Sequence, residues 1–339
     1  VTAILSADLH LTDHPRDADR WNLFPWLRDQ IKKHKVTEVI VCGDLTDSKD
    51  RHSSVLVNRF VDEFASLARM CNVYLIRGNH DYISEEYPFF MFMRLLAGWS
   101  STDTGLDFVR EPFEIKSMNA LALPNTKNIK DWDGIDWNEY DYIFTHQTYD
   151  GCIAENGQVL NGGLPPSIFK GYKGRVYSGD IHVPQDIGRN ITYIGAPYRI
   201  KFGDSYTPRL VLLKNGKATN LYFPAKAKEL IVARNLHDVE KSDFVMGSQV
   251  KVRVRMKRSE YPDWPLLKRN IKTLAQERGW ELYGPELVPM KVKPSTQEPE
   301  ATDTKVAPEE ELRDYARRKK LDKNMIKHGL AFLEEAKNR

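Results

Sequence analysis

Five short apolar runs, each ending on metal-competent side chains, constrain this chain more than anything else in it. Ala3-Ile4-Leu5-Ser6-Ala7 leads into Asp8-Leu9-His10, and Val39-Ile40-Val41-Cys42-Gly43 into Asp44. Leu75-Ile76-Arg77-Gly78 leads into Asn79-His80-Asp81, Tyr142-Ile143-Phe144-Thr145 into His146, and Arg175-Val176-Tyr177-Ser178-Gly179 into Asp180-Ile181-His182. Runs so short and so rich in β-branched residues read as parallel strands buried on both faces. A helical pattern from Val55 to Met70 separates the second run from the third. Strand, helix and strand make a βαβ unit, so the strand C-termini open on one edge of the sheet, where ligands of open α/β sheets bind.

One such strand end would mean little. Five, brought together, describe a pocket of seven candidate ligands: Asp8, His10, Asp44, Asn79, His146, Asp180 and His182. Carboxylate, amide and imidazole donors without a thiolate suit borderline-hard divalent ions such as Mn²⁺, with Mg²⁺ as the other candidate. Seven donors exceed what one ion needs and fit two ions with a bridging carboxylate. Paired ions are the usual solution for hydrolysing phosphate esters.

Asp8-x-His10, Gly43-Asp44, Gly78-Asn79-His80-Asp81, His146 and Gly179-x-x-His182 resemble, in order and spacing, the calcineurin-like metallophosphoesterases. Within that superfamily, Thr145-His146-Gln147, Gly43-Asp44-Leu45-Thr46-Asp47, Tyr193-Ile194-Gly195-Ala196-Pro197 and Phe202-Gly203-Asp204 are similar to segments of the SbcD-type nucleases of double-strand-break repair. The likeness covers residues 1–225 well and the rest in outline. It implies a two-sheet α/β (α+β) sandwich flanked by helices, with Asp44 bridging two ions. Asp8, His10 and His182 would gather round one ion, and Asn79, His146 and Asp180 round the other. By the same resemblance His80 is a catalytic non-ligand that protonates the leaving oxygen, and Asp81 holds its ring. One departure stands out: the family usually has Gly-His-x-His where this chain has Gly179-Asp180-Ile181-His182. Aspartate still ligates Mn²⁺ or Mg²⁺, but it adds negative charge and has a shorter reach.

The 339 residues are 41% hydrophobic, enough for a sizeable core and too many for one ordinary domain. Net charge is only +3, so binding to DNA would depend on local basic patches. No apolar run approaches the roughly 20 residues of a membrane span, and the first residues already form a ligand-bearing strand, so neither a membrane anchor nor a signal peptide is expected. Cys42, Cys71 and Cys152 are scattered and odd in number. They read as reduced thiols of a cytoplasmic protein, in the host cytoplasm if the chain is phage-encoded, as its compactness hints.

Four segments are expected: a nuclease domain over 1–224, a small α/β capping domain over 225–290, a linker over 291–308 and a helical tail over 309–339. In the first, residues 12–20 read as a polar loop and Trp21 to Lys33 as a helix. Lys49, Arg51 and His52, after the Asp44 ligand, are candidates for contacting a phosphate backbone. Glu86 to Leu96 reads as a helix whose aromatic cluster is either core or a homodimer surface. Strand patterns at Thr192–Ile194, Arg209–Leu213 and Thr219–Phe223 are expected to complete a second sheet, with a hairpin turn at Asn215-Gly216. In the capping domain Gln249 to Lys257 alternates strictly. It puts Val250, Val252, Val254 and Met256 on one face and Lys251, Arg253, Arg255 and Lys257 on the other, the basic face being a second DNA-binding candidate. The helix Trp264 to Glu277 is expected to pack Leu266, Leu267, Ile271 and Leu274. Residues 291–308 are rich in proline, threonine and charge, as linkers are. Beyond them Leu312, Tyr315, Ile326, Leu330 and Leu333 mark an apolar stripe on two short helices. By resemblance, this stripe docks on the coiled coil of an SbcC-type ATPase within a heterotetramer.

The function expected is a Mn²⁺-dependent 3′-to-5′ exonuclease and endonuclease acting on double-stranded DNA ends, hairpins or single strands. Two rivals are a phosphoesterase of small substrates, which shares every metal ligand, and a DNA-end-binding scaffold with an impaired metal site, for which Asp180 speaks.

Overall fold

The computed structural model describes residues 1–84, 86–93, 105–290, 312–313, 316–317 and 323–337. They fall into two units, Val1–Pro289 and Met290–Arg339. In the first unit, β1 (Thr2–Ser6), β2 (Glu38–Cys42), β3 (Asn72–Ile76) and β4 (Leu106–Val109) run parallel, with Leu5 beside Ile40 and Val41 beside Leu75. The hairpin of β11 (Leu210–Lys214) and β12 (Lys217–Leu221) extends this sheet antiparallel to β1. In the second sheet β6 (Ala120–Leu123), β7 (Tyr142–His146), β8 (Arg175–Gly179) and β10 (Ile191–Tyr193) are parallel. Its edges are β5 (Phe113–Ile115) and β9 (Gln185–Ile187), both antiparallel to their neighbours.

The parallel strands are apolar throughout because both faces are covered. Leu5, Ile40 and Ile76 of the first sheet meet Ala122, Phe144 and Tyr177 of the second in the middle layer. The other face of the first sheet, with Ile4, Val39 and Val41, packs on Phe24, Leu27, Phe60 and Phe64. These belong to α1 (Leu23–His34) and α2 (Ser54–Ala68). Ser53 caps α2 by accepting from Leu56 N at 3.1 Å. On the far side, Ile143 and Val176 pack on Trp132, Tyr149 and Phe169 from loops. The result is the two-sheet α/β sandwich flanked by helices that the resemblance implies.

Local expectations change in three places. Residues 12–20 are not a plain polar loop: Pro15–Asn22 is a 3₁₀ helix that buries Asp17, Arg20 and Trp21. The strand patterns after residue 190 do not all enter one sheet. β10 joins the second, while the β11–β12 hairpin, turning at Asn215 and Gly216 with φ of 50° and 74°, joins the first. The sequence shows a hairpin; which sheet edge it meets is set by the long-range pairing of Leu5 with Val211. Of the Glu86–Leu96 helix, the described part is only a 3₁₀ stretch over 89–93, and residues 94–96 lie outside the described residues. Phe90 is buried and stacks on Phe60 at 4.2 Å, with Phe89 and Phe92 packed alongside, so this cluster is mostly core. Among it, only Tyr87 is largely exposed.

A third sheet, all parallel, contains β13 (Lys228–Ala233), β14 (Gln249–Met256) and β15 (Glu281–Pro289). Val250, Val252, Val254 and Met256 form its core with Val239 of α3 (Leu236–Glu240) and Ile271 and Ala275 of α4 (Trp264–Glu277). Leu267 and Leu274 pack against that core. Leu266, expected there too, is 60% exposed because its helical phase turns it outward.

In the second unit, α5 (Lys323–Lys337) carries Ile326, Leu330 and Leu333, all half-buried. A Cβ placed on Gly329 would come within 2.9 Å of Leu312 Cδ2, so glycine there permits close packing of the tail on itself. Tyr315 and the linker 291–308 lie outside the described residues. Among the described residues no helix is long and apolar enough to cross a membrane.

Candidate metal centre

The pocket forms where the C-terminal ends of β1, β2, β3, β7 and β8 meet. Such convergence requires the backbones to touch. A Cβ on Gly43 would lie 2.1 Å from His146 Nδ1, and one on Gly78 would lie 2.4 Å from Asp44 N. Glycine precedes the ligands at these ends because nothing larger fits. The turns are tight: Asp8, His10, Asp44 and Asp180 have φ of 54°, 40°, 54° and 86°. Non-glycine residues hold such values only where surrounding bonds over-determine them, as at functional sites. Here Asp8 N donates to Gly43 O at 3.0 Å and His10 N to Asp44 O at 2.9 Å.

All seven side chains expected in the pocket converge. Asp8, His10 and His182 bring one ligand atom each to within 4.8 Å of one another, as do Asp8, Asp44 and His146. His146 Nε2 stands 3.0 Å from Asn79 Oδ1, 3.3 Å from Asp44 Oδ1 and 3.7 Å from Asp180 Oδ1. Asp44 also faces His10 Nε2 at 3.4 Å, so its two oxygens look into both halves of the pocket. Asp180 contributes one oxygen, since the other accepts a hydrogen bond from the Thr148 hydroxyl.

These donors fit divalent cations. Asp8 Oδ2 is buried and meets no hydrogen-bond donor. His10 Nε2 and His182 Nε2 face each other at 3.1 Å. His146 Nδ1 lies 2.7 Å from Cys42 O. A carbonyl only accepts, so Nδ1 carries the hydrogen and Nε2 is left for a ligand. Buried carboxylates gathered round imidazole lone pairs are arranged for positive charge.

Protons hold part of that role when metal is absent. Burial pushes the Asp8 carboxyl up to about 7 and drives His10 down to about 3. Burial alone would lower His146 too, but the Asp44, Asp8 and Asp180 carboxylates outweigh it and raise the ring to about 9. A cation must displace the proton on His146 below pH 9 and that on Asp8 below pH 7. Apparent Mn²⁺ affinity is therefore expected to rise about tenfold per pH unit between pH 7 and 8, with proton release. Calorimetry in buffers of different ionisation enthalpy measures both, and an affinity flat across this range would contradict the assignment.

Several expected roles change. Asp81 does not hold the His80 ring. Its carboxylate is wholly buried and accepts from Asp44 N at 2.9 Å, Leu45 N at 2.8 Å and Gly78 N at 2.7 Å. It therefore clamps two ligand-bearing turns together, because backbone amides at the strand ends reach it first. His80 Nδ1 instead lies 3.0 Å from Asp47 O, and His80 N donates to Asp44 Oδ1 at 2.9 Å. One ring nitrogen of His80 also lies within 4.8 Å of ligand atoms of His10 and Asp44.

The basic candidates divide. Lys49 and Arg51 are exposed. His52 does not reach outward: its Nε2 is 2.8 Å from Thr46 Oγ1 and its ring packs on Phe89 at 4.1 Å. Lys251 and Arg253 share the single carboxylate of Glu286 on the adjacent strand, at 2.8 and 3.4 Å, so it offsets one charge of the basic row, while Arg253, Arg255 and Lys257 stay exposed.

Glu155 escaped the sequence reading. It comes from the Gly151–Gly174 connection, and its Oε1 lies 2.7 Å from His182 Nδ1. The contact with His182 pulls the Glu155 carboxyl down to about 2. A carboxylate behind a ligating imidazole fixes its tautomer and increases its donor strength. Nothing local could reveal this, because Ile153 is pinned by Gln185, 32 residues away, at 2.8 Å. Glu155→Ala is expected to weaken Mn²⁺ binding by about 10–100-fold, and Glu155→Gln by less. An alanine variant that binds Mn²⁺ like the parent in equilibrium titration would remove this role.

The calcineurin-like phosphoesterase family model matches residues 2–212. The 244L protein of Invertebrate iridescent virus 6, whose name describes a phosphoesterase, is 24% identical over 230 residues, covering 63% of this chain and 79% of that protein. Similar solved structures include an archaeal phosphodiesterase, with 13% identity, TM-score 0.37, and coverage of 66% of this chain and 100% of that one. Others are the nuclease MPE of Pseudomonas putida (14%, 0.29, 65% and 87%) and a dimetal phosphatase of Danio rerio (13%, 0.39, 65% and 97%). At these scores the three structures carry no weight for the substrate. The family match spans the strands that build the pocket: this chain belongs to the calcineurin-like phosphoesterases, hydrolases that use divalent metal ions.

Proposed function

We propose that the chain is a Mn²⁺-dependent DNA nuclease, hydrolysing phosphodiesters as a 3′-to-5′ exonuclease and endonuclease alongside an SbcC-type ATPase. The observation that carries the reading is the convergence of seven candidate ligand side chains, with Asp44 facing both halves. Bound divalent ions would supply Lewis-acid activation of water and of the phosphoryl group. The chain's own residues hold that pocket preorganised. Asp81 clamps the turns, Glu155 and Cys42 O orient two imidazoles, and His80 offers a proton at the mouth. Support for DNA as the substrate comes from the SbcD-like segments. Tyr193 of one such segment donates through its hydroxyl to Gln147 O of another at 2.9 Å, directly behind His146. The apolar stripe of the tail supports a protein partner, and dimer formation belongs to the same proposal.

A second reading, hydrolysis of a small phosphodiester or phosphomonoester, is favoured by the pairing of Lys251 and Arg253 with Glu286. Digestion of end-labelled duplex DNA in Mn²⁺, run beside a chromogenic diester and monoester, separates the two. Cleavage of DNA supports the nuclease. Turnover of chromogenic esters with DNA left intact, also in the presence of an SbcC-type partner, would select the small-substrate reading. A chain inert towards all three yet metal-bound would select the scaffold.

A further inference from the structure

A second polar cluster lies behind the pocket, outside the ligand set. Asp17, Arg20 and Lys228 are 1%, 4% and 3% exposed. Arg20 Nη1 donates to the carbonyl of His10. Its Nη2 donates to Ile200 O at 2.9 Å and pairs with Asp17 Oδ1 at 3.0 Å. The same Asp17 oxygen accepts from Lys228 Nζ at 2.6 Å. Lys228 opens β13, the first strand of the accessory sheet. Gln249, its neighbour on β14, donates to Arg16 O at 2.8 Å. The accessory sheet is thus bonded to the 3₁₀ helix that presents Arg20.

Burying three formal charges is expensive, and a buried ion cluster is weak evidence of stabilisation by itself. What this cluster touches is more informative. His10 is held at φ 40°, a conformation that a histidine keeps only under external constraint. Asp44 O constrains its amide, and Arg20 constrains its carbonyl. Those two peptide groups flank the Cα from which the ligating ring hangs. Arg20 is aimed by Asp17, and Asp17 is shared with Lys228.

We propose that Arg20, Asp17 and Lys228 are positioning residues for His10, so that the metal pocket senses how the accessory sheet is seated. This rests on the two-ion reading above. A partner or substrate that shifts β13 alters one metal ligand through a chain of three side chains and one carbonyl.

The test uses the full chain and Mn²⁺ alone, with site-resolved affinities from titration followed by electron paramagnetic resonance. In Lys228→Met, and separately in Arg20→Lys, one of the two ions is expected to bind about tenfold more weakly. The other should stay within about twofold of the parent. A loss confined to one ion is what general loosening of the fold does not produce. Parental affinity at both ions, or an equal loss at both, overturns the proposal. If Lys228→Met does not fold, Arg20→Lys, which keeps the cluster's charge, decides by the same criteria. A parent chain that binds fewer than two ions overturns this proposal together with the two-ion reading, whereas two ions bound identically by parent and variants overturn this proposal alone.

Discussion

Asp44→Ala is expected to lower phosphoester hydrolysis by about 10³-fold or more, equivalent to about 4 kcal/mol of barrier. Asp44 turns one carboxylate oxygen to His10 at 3.4 Å and the other to His146 at 3.3 Å. It stays ionised despite burial, because His146, His10 and His80 surround it and hold its carboxyl below the usual range. Its loss removes charge from both halves of the pocket at once and frees the His80 amide that it accepts. Binding of Mn²⁺ should weaken for both ions. Turnover of a chromogenic ester in saturating Mn²⁺ measures the effect, and a variant retaining a tenth of parental activity would show that Asp44 is not shared.

His80→Ala should behave differently. The Asp47 carbonyl only accepts, so it takes the hydrogen on Nδ1 and leaves Nε2 as the ring nitrogen able to serve a leaving oxygen. Loss of a general acid costs about 10²–10⁴-fold in kcat. The loss should be greatest for an alkoxide leaving group such as a sugar oxygen, and small for p-nitrophenolate, which leaves without help. Affinity for Mn²⁺ should change little if His80 is a proton donor. If Mn²⁺ binding collapses and both leaving groups suffer equally, His80 is a ligand instead, as its closeness to His10 and Asp44 would then explain.

The difference between these two residues was legible in the motif but not in its physics. Asp44 stands out because it follows a strand and Gly43, and His80 because it sits in the Gly78-Asn79-His80-Asp81 turn at the end of the next strand. Asp81, in the same tetrapeptide, looks from sequence like the partner of the neighbouring ring. The fold instead gives it three backbone amides from two turns. A charged residue among polar neighbours at 12–20 looks solvated, yet Asp17 and Arg20 are buried, since Lys228 arrives from 211 residues away to share their charge. The basic row of β14 looks open, yet Glu286 stands beside it, supplied by a strand whose register no local pattern reveals.

Apolar runs of strand length, the glycines before the ligands and the donor types themselves were enough to determine the α/β class, the edge at which a site forms and the side chains that enter it. These are local properties: periodicity reports burial, and a missing Cβ reports close approach. Tertiary structure alone decided which oxygens and nitrogens remain free to ligate. It also decided which sheet the last hairpin extends, which basic side chains are already paired, and that Glu155 and Arg20 stand behind two of the ligands. Those outcomes depend on contacts between residues far apart in the chain, where buried charges and lone pairs find partners that sequence spacing does not encode.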